Sequence, residues 1–426
     1  MLVIVLLFVA ALSACRTAPA SPPVPSPVRP VGVAASGGGE RDTTCELAPG
    51  PVQPAGTLTV ALPGLVDPAH APVPASDAER LVFPQLYEPL VHIDCGGRLV
   101  PGLAESWSVD SGGRRWTFTL RHDARFWDGA PVTAQDVIAS WRGRDSLLAT
   151  AAIVLGPRLL RVGFPDSSLV TRLAGTFPSV TKPSPDRGWP IGTGPYWMSG
   201  STVTRTLLAQ PVVAPAPAIA FRDMSGSDPR DVLDGGVDLL LTNDPTVVSY
   251  AGSRPQYAVL PLMWDRTFVL AVQVGPVPDV DRADLARAVH AEARAGQGPP
   301  CPPVDAGGGG RDSAAAQPSL SVQRLVFDRT DPTARELAER LVARGVLGAG
   351  VPAAGLAPAD FTSALRSNSA WAYVATVSTT ADCATWYDRH EPRVRALIDV
   401  RHYAVVRRGT PRLLLDADGS VRLMPR

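Results

Sequence analysis

The sequence predicts an α/β fold, and three observations predict it. Short apolar or alternating strands recur from Gly56 onward, amphipathic helices follow several of them, and Gly- and Pro-rich connections separate the two. Strands and helices that alternate with several crossovers build layered α/β architecture. With 45% hydrophobic residues the chain has material for a sizeable core, and its formal net charge of zero offers no basic surface for nucleic acid.

The elements follow in order. GTLTVAL (56–62) reads as a strand, and DAERLVFPQLYEPL (77–90) as a helix capped by Asp77, with Pro84 in its early turns or bending it. VHIDCGG and RLVPGLAESWSVD give a strand, a glycine turn and a second short element. In RRWTFTLRHDARFWDG, Trp116, Phe118 and Leu120 share one face and Thr117, Thr119 and Arg121 the other, a half-buried strand. Thr133 and Asp136 form a capping-box start to DVIASWRG. IGTGPYWM (191–198) is a glycine turn feeding a strand, residues 209–219 are expected to cross between elements, and PRDVLDGGVDLLLT (229–242) reads helix, turn, strand. An amphipathic helix is expected over Asp281–Ala295, a loop or linker over 296–319, a strand in LSVQRLVFD, and a helix in PTARELAERLVARG that stops at Gly345.

The N-terminus bears on compartment. The apolar run Leu2–Leu12 is shorter than the roughly 20 residues of a spanning helix, and it suits a secretory signal. It ends in Leu12-Ser13-Ala14-Cys15, which resembles a bacterial lipobox and implies that the Cys15 thiol takes a diacylglyceryl group. The run lacks the usual Lys or Arg before its core. Residues 16–44, dominated by Pro, Ser, Ala and Gly, have too few large apolar groups to fold and read as a tether. Beyond Cys15 four cysteines remain, Cys45, Cys95, Cys301 and Cys383. Outside the cell they suggest two disulfides with three connectivities, and Cys45–Cys95 with Cys301–Cys383 keeps each pair within one block of sequence. A zinc site is the competing idea, but the chain has no C-x-x-C and its six histidines are scattered singly. No metal or cofactor is expected.

The stretch 82–141 carries a specific resemblance. Tyr87-Glu88-Pro89-Leu90, the segment Pro101–Trp107, Thr117–Arg121 and Phe126–Val137 are similar, in order, to the signature of the family 5 extracellular solute-binding proteins, the peptide and nickel receptors of ABC transporters. Weaker echoes follow in GTGPYW, LDGGVDLLL, DRADLARAVHAEA, LVFDRTDPTARELAERL and LLLDADGSVRL. The resemblance implies a two-lobed, periplasmic-binding-protein-like fold (type II, cluster C-like) with mixed sheets and a hinge. The segment between Trp141 and the GTGPY turn is shorter than the family's, which points to a smaller ligand, a more open cleft or a loss of transport.

On that resemblance, residues 45–270 form a first lobe with a small inserted subdomain, 271–395 the ligand-facing second lobe, and 396–426 strands returning to the first. The implied ligand is a small molecule or short peptide, and the implied partners are an ABC permease and, through the anchor, the membrane. The protein is expected to be an extracytoplasmic monomer. Asp382, in the Ala-Asp pair after an aromatic-flanked strand, would meet a ligand ammonium, with Trp371, Tyr373, Trp386 and Tyr387 lining pockets. Core packing and a turn cap explain the same residues. In MWDRTF, Trp264 would stack on a ligand and Arg266 face a carboxylate, a surface turn being the competing reading. Trp127 and Asp128 read as packing and turn residues. No enzyme is indicated: there is no G-x-S-x-G or H-E-x-x-H, and GGGG at 307–310 lacks a phosphate-loop Lys. The alternative function is a reduced lipoprotein of sensory or structural role.

Overall fold

The structure is a computed structural model. It describes residues 45, 56–144, 146–163, 173, 178–185, 188–198, 205–262, 264, 266–273, 277–296, 323–367, 369–378, 393–416 and 419–423. The chain opens with β1 (Thr57–Leu62), α1 (Asp77–Leu86), β2 (Val91–Ile93), β3 (Leu99–Pro101), β4 (Ala104–Val109), β5 (Arg115–Leu120), α2 (Ala134–Arg142), α3 (Ser146–Ala151), β6 (Ala152–Gly156) and β7 (Leu159–Gly163). It continues through β8 (Tyr196–Met198), β9 (Thr206–Pro211), β10 (Ala218–Asp223), α4 (Pro229–Asp234), β11 (Leu239–Thr242), α5 (Pro245–Gly252) and β12 (Tyr257–Pro261). Then come β13 (Arg266–Val272), α6 (Arg282–Ala288), β14 (Ala293–Ala295), β15 (Leu325–Asp328), α7 (Pro332–Ala343), β16 (Ala353–Leu356), α8 (Pro358–Ser367), β17 (Ala372–Ser378) and β18 (Arg393–Val400). β19 (Tyr403–Arg407), β20 (Leu413–Leu415) and β21 (Val421–Leu423) close it.

Two mixed sheets organise the molecule. The first lobe is built on a seven-stranded sheet, β12-β19-β11-β1-β10-β9-β8, in which β1 runs parallel to β10 and β11. A smaller antiparallel sheet, β4-β5-β7-β6, packs its own core against α2. The second lobe is a six-stranded sheet, β14-β18-β13-β17-β15-β16, apolar on both faces. Among the described residues the chain passes between the two large sheets twice, from β12 to β13 and from β18 to β19. The crossings lie side by side, since Leu262 N–H donates to His402 O at 2.8 Å. Both β13 and β18 straddle the boundaries expected at 270 and 395.

Several elements follow directly from their residues. Trp116, Phe118 and Leu120 turn inward from β5, as their alternation predicts. Thr133 N–H donates to Asp136 Oδ2 at 2.8 Å while Thr133 Oγ1 accepts from Asp136 N–H at 3.3 Å, the predicted capping box. α7 ends at Ala343, and Gly345, just past the cap residue Arg344, has a φ of +64° that suits a helix stop. Gly192 and Gly194 serve close approach: a Cβ at Gly192 would stand 2.1 Å from Leu86 O. The turn can therefore pack on the end of α1, where Gly194 N–H donates to Leu86 O.

Other expectations are corrected. α1 is capped by Ser76, whose Oγ accepts from Glu79 N–H, and not by Asp77. It ends at Leu86, short of Leu90, because Glu88 precedes Pro89 and such residues are driven out of helical conformation. The helix expected over Asp281–Ala295 stops at Ala288. Glu336 captures the His290 N–H at 3.0 Å, and Ala293–Ala295 pair with the edge of β18, so tertiary hydrogen bonds override the helical periodicity. Residues 209–219 do not cross between elements; they finish β9 and return as antiparallel β10, Ala209 opposite Ile219. In LLLDADGSVRL, Leu413–Leu415 and Val421–Leu423 pair antiparallel as β20 and β21.

The Cys45–Cys95 disulfide is present, with Cα atoms 5.4 Å apart. It is tied to the C-terminal hairpin, since Leu415 N–H donates to Cys45 O and Cys95 N–H to Leu415 O. Cys15, Cys301 and Cys383 lie outside the described residues.

Candidate functional site

The two crossings and the helix starts beside them bring charged side chains together between the lobes. Arg266 opens β13 in the second sheet, and its guanidinium donates to the Asp77 carboxylate at the start of α1, an ion pair across 189 positions of sequence. Arg80 Nε lies 3.9 Å from the same carboxylate. The Asp77 side chain is 46% exposed, yet protein crowds it enough to dehydrate the carboxylate, which marks a recess and not a core. Dehydration pushes the Asp77 carboxyl upward, and the charge and hydrogen bond of Arg266, with Arg80 and His402, more than offset it and hold it below the usual range.

Asp331 faces Arg266 from the second lobe. It caps α7, its Oδ1 accepting from Ala334 N–H at 2.9 Å, while Thr376 Oγ1 lies 3.4 Å from Oδ2. Burial raises its carboxyl above the usual range, and neither the helix N–H groups nor the Arg266 charge fully offsets that. One guanidinium thus serves two acids from two lobes. Sequence reasoning took Asp77 for a helix cap and passed over Asp331. The only signal for the latter was its place before Pro332 at a helix start.

Behind this recess the crossings are stapled by charge. Trp264 lies on the first crossing, with the guanidinium groups of Arg294 and Arg401 over its ring, each 4.8 Å from the centroid. Arg294 Nε donates to Asp399 Oδ2 at 3.0 Å, and Thr267 Oγ1 donates to Asp399 Oδ1 at 2.8 Å. Arg401 pairs with Glu292 at 3.7 Å, and the Tyr403 hydroxyl donates to Glu292 as well. Trp264 therefore packs within the crossing, its ring already engaged by two cations.

Arg266 lies at the recess and Trp264 behind it, and neither Trp371 nor Tyr373 joins them. β13 runs antiparallel to β17, with Arg266 opposite Ser378 and Val272 opposite Ala372. Trp371, whose carbonyl accepts from Gln273 N–H at 3.0 Å, is thus about 20 Å from Arg266 at ~3.3 Å per residue. It packs half-buried on the core of the second lobe. Tyr373 is 1% exposed and structural: its hydroxyl donates to Ala364 O at 3.0 Å and accepts from Ala370 N–H at 2.8 Å. The expectation that Tyr373 lines a ligand pocket is corrected, because the inward face of β17 is core. Asp382, Trp386 and Tyr387 lie outside the described residues. Trp127 tilts against Tyr87, centroids 6.2 Å apart, and Asp128 closes its turn on Ala130 N–H and pairs with Lys182.

Among the described residues no cluster of three His, Cys, Asp or Glu could hold a metal ion, and no helix is long and apolar enough to cross a membrane.

Two α/β lobes joined by adjacent crossings, with opposed charges between them, define a two-lobed binding-protein fold. Residues 98–144 match the model of bacterial extracellular solute-binding proteins, family 5. The periplasmic murein peptide-binding protein MppA of Escherichia coli is 44% identical over 80 residues, 19% of this chain and 14% of its own length. The periplasmic oligopeptide-binding protein OppA of Haemophilus influenzae is 50% identical over 64 residues, 15% and 12% of the two chains. These sequence matches thus span a small part of either relative. The fold likeness is much broader. The E. coli murein tripeptide-binding protein MppA superposes with a TM-score of 0.63 at 15% identity over 88% of this chain and 100% of its own. NikA from Brucella suis, in complex with Fe(III)-EDTA, superposes with a TM-score of 0.62 at 18% identity over 87% and 100%. The chain is thus similar in sequence to the family 5 extracellular solute-binding proteins over residues 98–144, and it shares the fold of MppA and NikA over 87–88% of its length.

Proposed function

We propose that this protein is an extracytoplasmic solute-binding lipoprotein, anchored through Cys15, that closes its two lobes on a small ligand and delivers it to an ABC importer. The observation that carries the reading is the charged recess between the lobes, where Arg266 of the second sheet pairs with Asp77 of the first beside the two crossings and its charge acts on Asp331. Charges in a recess at a domain junction suit a small polar ligand, and hinged closure around such a site is a standard motion. A short peptide is the ligand class proposed, by likeness to the peptide-binding relatives. Asp382, Trp386 and Tyr387 are proposed as additional contacts with the ligand.

Native mass spectrometry of the mature protein, followed by denaturing analysis of what it releases, tests this. A discrete small molecule or peptide mixture that leaves on denaturation is expected, and Asp382→Ala should lose it. An empty protein with no thermal shift across peptide libraries would instead favour a reduced lipoprotein with a sensory or structural role.

A further inference from the structure

The Asp77–Arg266 pair has no evident part in building the fold. Ser76 caps α1, so the helix start does not need the Asp77 carboxylate, which remains 46% exposed in the recess. What the pair does is occupy the guanidinium of Arg266. Around it stand Asp331 on the same lobe, Arg80 one helical turn along α1, and His402 on the second crossing. Acidic and basic groups are thus interleaved in one recess, the complement of a ligand that carries both signs.

We propose that Asp77 is the specificity-determining residue of this recess. Its carboxylate holds Arg266, and a ligand enters by placing its own carboxylate on that guanidinium. The ligand's ammonium then passes to the freed Asp77 and to Asp331. This rests on the small-ligand reading above and narrows it to zwitterions. A ligand with a carboxylate alone displaces Asp77 and leaves it without its main cation. A ligand with an ammonium alone finds Asp77 already engaged. Only a zwitterion replaces both interactions, so discrimination comes from what the wrong ligand leaves unpaired.

The test is titration calorimetry on the mature protein at low salt and neutral pH with three probes: tri-alanine, N-acetyl-tri-alanine and tri-alanine amide. The wild type should bind tri-alanine about tenfold or more tighter than either blocked peptide, the scale of one charged hydrogen bond. Asp77→Asn should gain affinity for the acetylated probe and lose it for the amide, and Arg266→Gln should lose about tenfold for tri-alanine. Thermal unfolding of each variant checks that it is folded. Blocked peptides that bind the wild type as tightly as tri-alanine, or an Asp77→Asn variant that shifts all three probes alike, would overturn the role of Asp77 and leave the solute-binding reading intact. A wild type that binds none of the three would remove short peptides as ligands and the role of Asp77 with them.

Discussion

The β4–β7 unit and the recess between the lobes were written into the sequence in different ways. In the first, Trp116, Phe118 and Leu120 alternate along one strand, Thr133 and Asp136 cap the helix that covers it, and Trp141 closes the core from that helix. These signals lie within a short stretch, which overlaps the residues that match the family model, although Leu173, Val180 and Ile191 complete the core. In the second, Asp77, Arg266, Asp331 and His402 come from four distant points and meet only because two sheets exchange strands. The first region is dictated by local pattern and burial, and the second by topology. Substitutions should therefore act on stability in the first and on binding in the second.

The largest effect is expected at Trp141. It is 1% exposed, and its indole N–H donates to Pro178 O at 2.7 Å. Trp141→Ala removes a large buried side chain and leaves that carbonyl without its donor, so a loss of about 3–5 kcal/mol is expected in denaturant unfolding. Asp399→Ala should come next. Asp399 is 5% exposed and accepts from both Thr267 and Arg294. Breaking a buried pair typically removes ~3–5 kcal/mol. Because the Arg294 side chain is a quarter exposed and can turn to water, about 2 kcal/mol is the expected loss here. Since Arg294 also lies over Trp264, a shift in tryptophan fluorescence should accompany it.

What could be read in advance follows the same division. The β5 alternation, the capping box, the stop at Gly345 and the fold class were legible because each depends on side chains a few residues apart. The Asp281–Ala295 helix was misjudged because its pattern of Leu285, Val289 and Ala293 suits a helix, but β18 offered its last residues backbone partners. Tyr373 looked like a ligand contact for the mirror-image reason. An aromatic in an exposed-looking strand gives no sign that α8 will cover it and accept its hydroxyl proton through Ala364 O. Arg266 was expected to face a ligand carboxylate, and its pairing with Asp77 was beyond any local rule.

The C-terminal hairpin combines both regimes, and pH separates them. Asp416 is buried against His92 at 3.3 Å and Arg422 at 2.6 Å. Burial alone would raise its carboxyl, and His92 and Arg422 outweigh this and hold it below the usual range. A depressed carboxyl contributes stability that is present above the unfolded value of about 3.9 and is lost as pH falls through the folded one. Thermal unfolding should therefore show an acid limb beginning below about pH 4. Asp416→Asn should be less stable at neutral pH and should have a shallower limb. An unchanged limb would mean that other carboxylates carry the acid response.

The smallest effect is expected where charge pairing has neither burial nor function behind it. Arg395 and Asp279 form an ion pair of the same chemistry as Arg266 and Asp77, but the Asp279 side chain is 97% exposed. Solvent and salt screen such a pair, and ordering two mobile side chains offsets most of what attraction remains. Asp279→Asn should leave the unfolding midpoint within error and the affinity for tri-alanine unchanged. Asp77→Asn, which removes the same kind of bond in a recess, should alter probe selectivity while also moving the midpoint little. The two variants together isolate the recess as the variable, since bond type and formal charge change are the same in both. If Asp279→Asn altered selectivity as well, the effect at Asp77 would be long-range electrostatics, and the assignment of the recess as the binding site would fail.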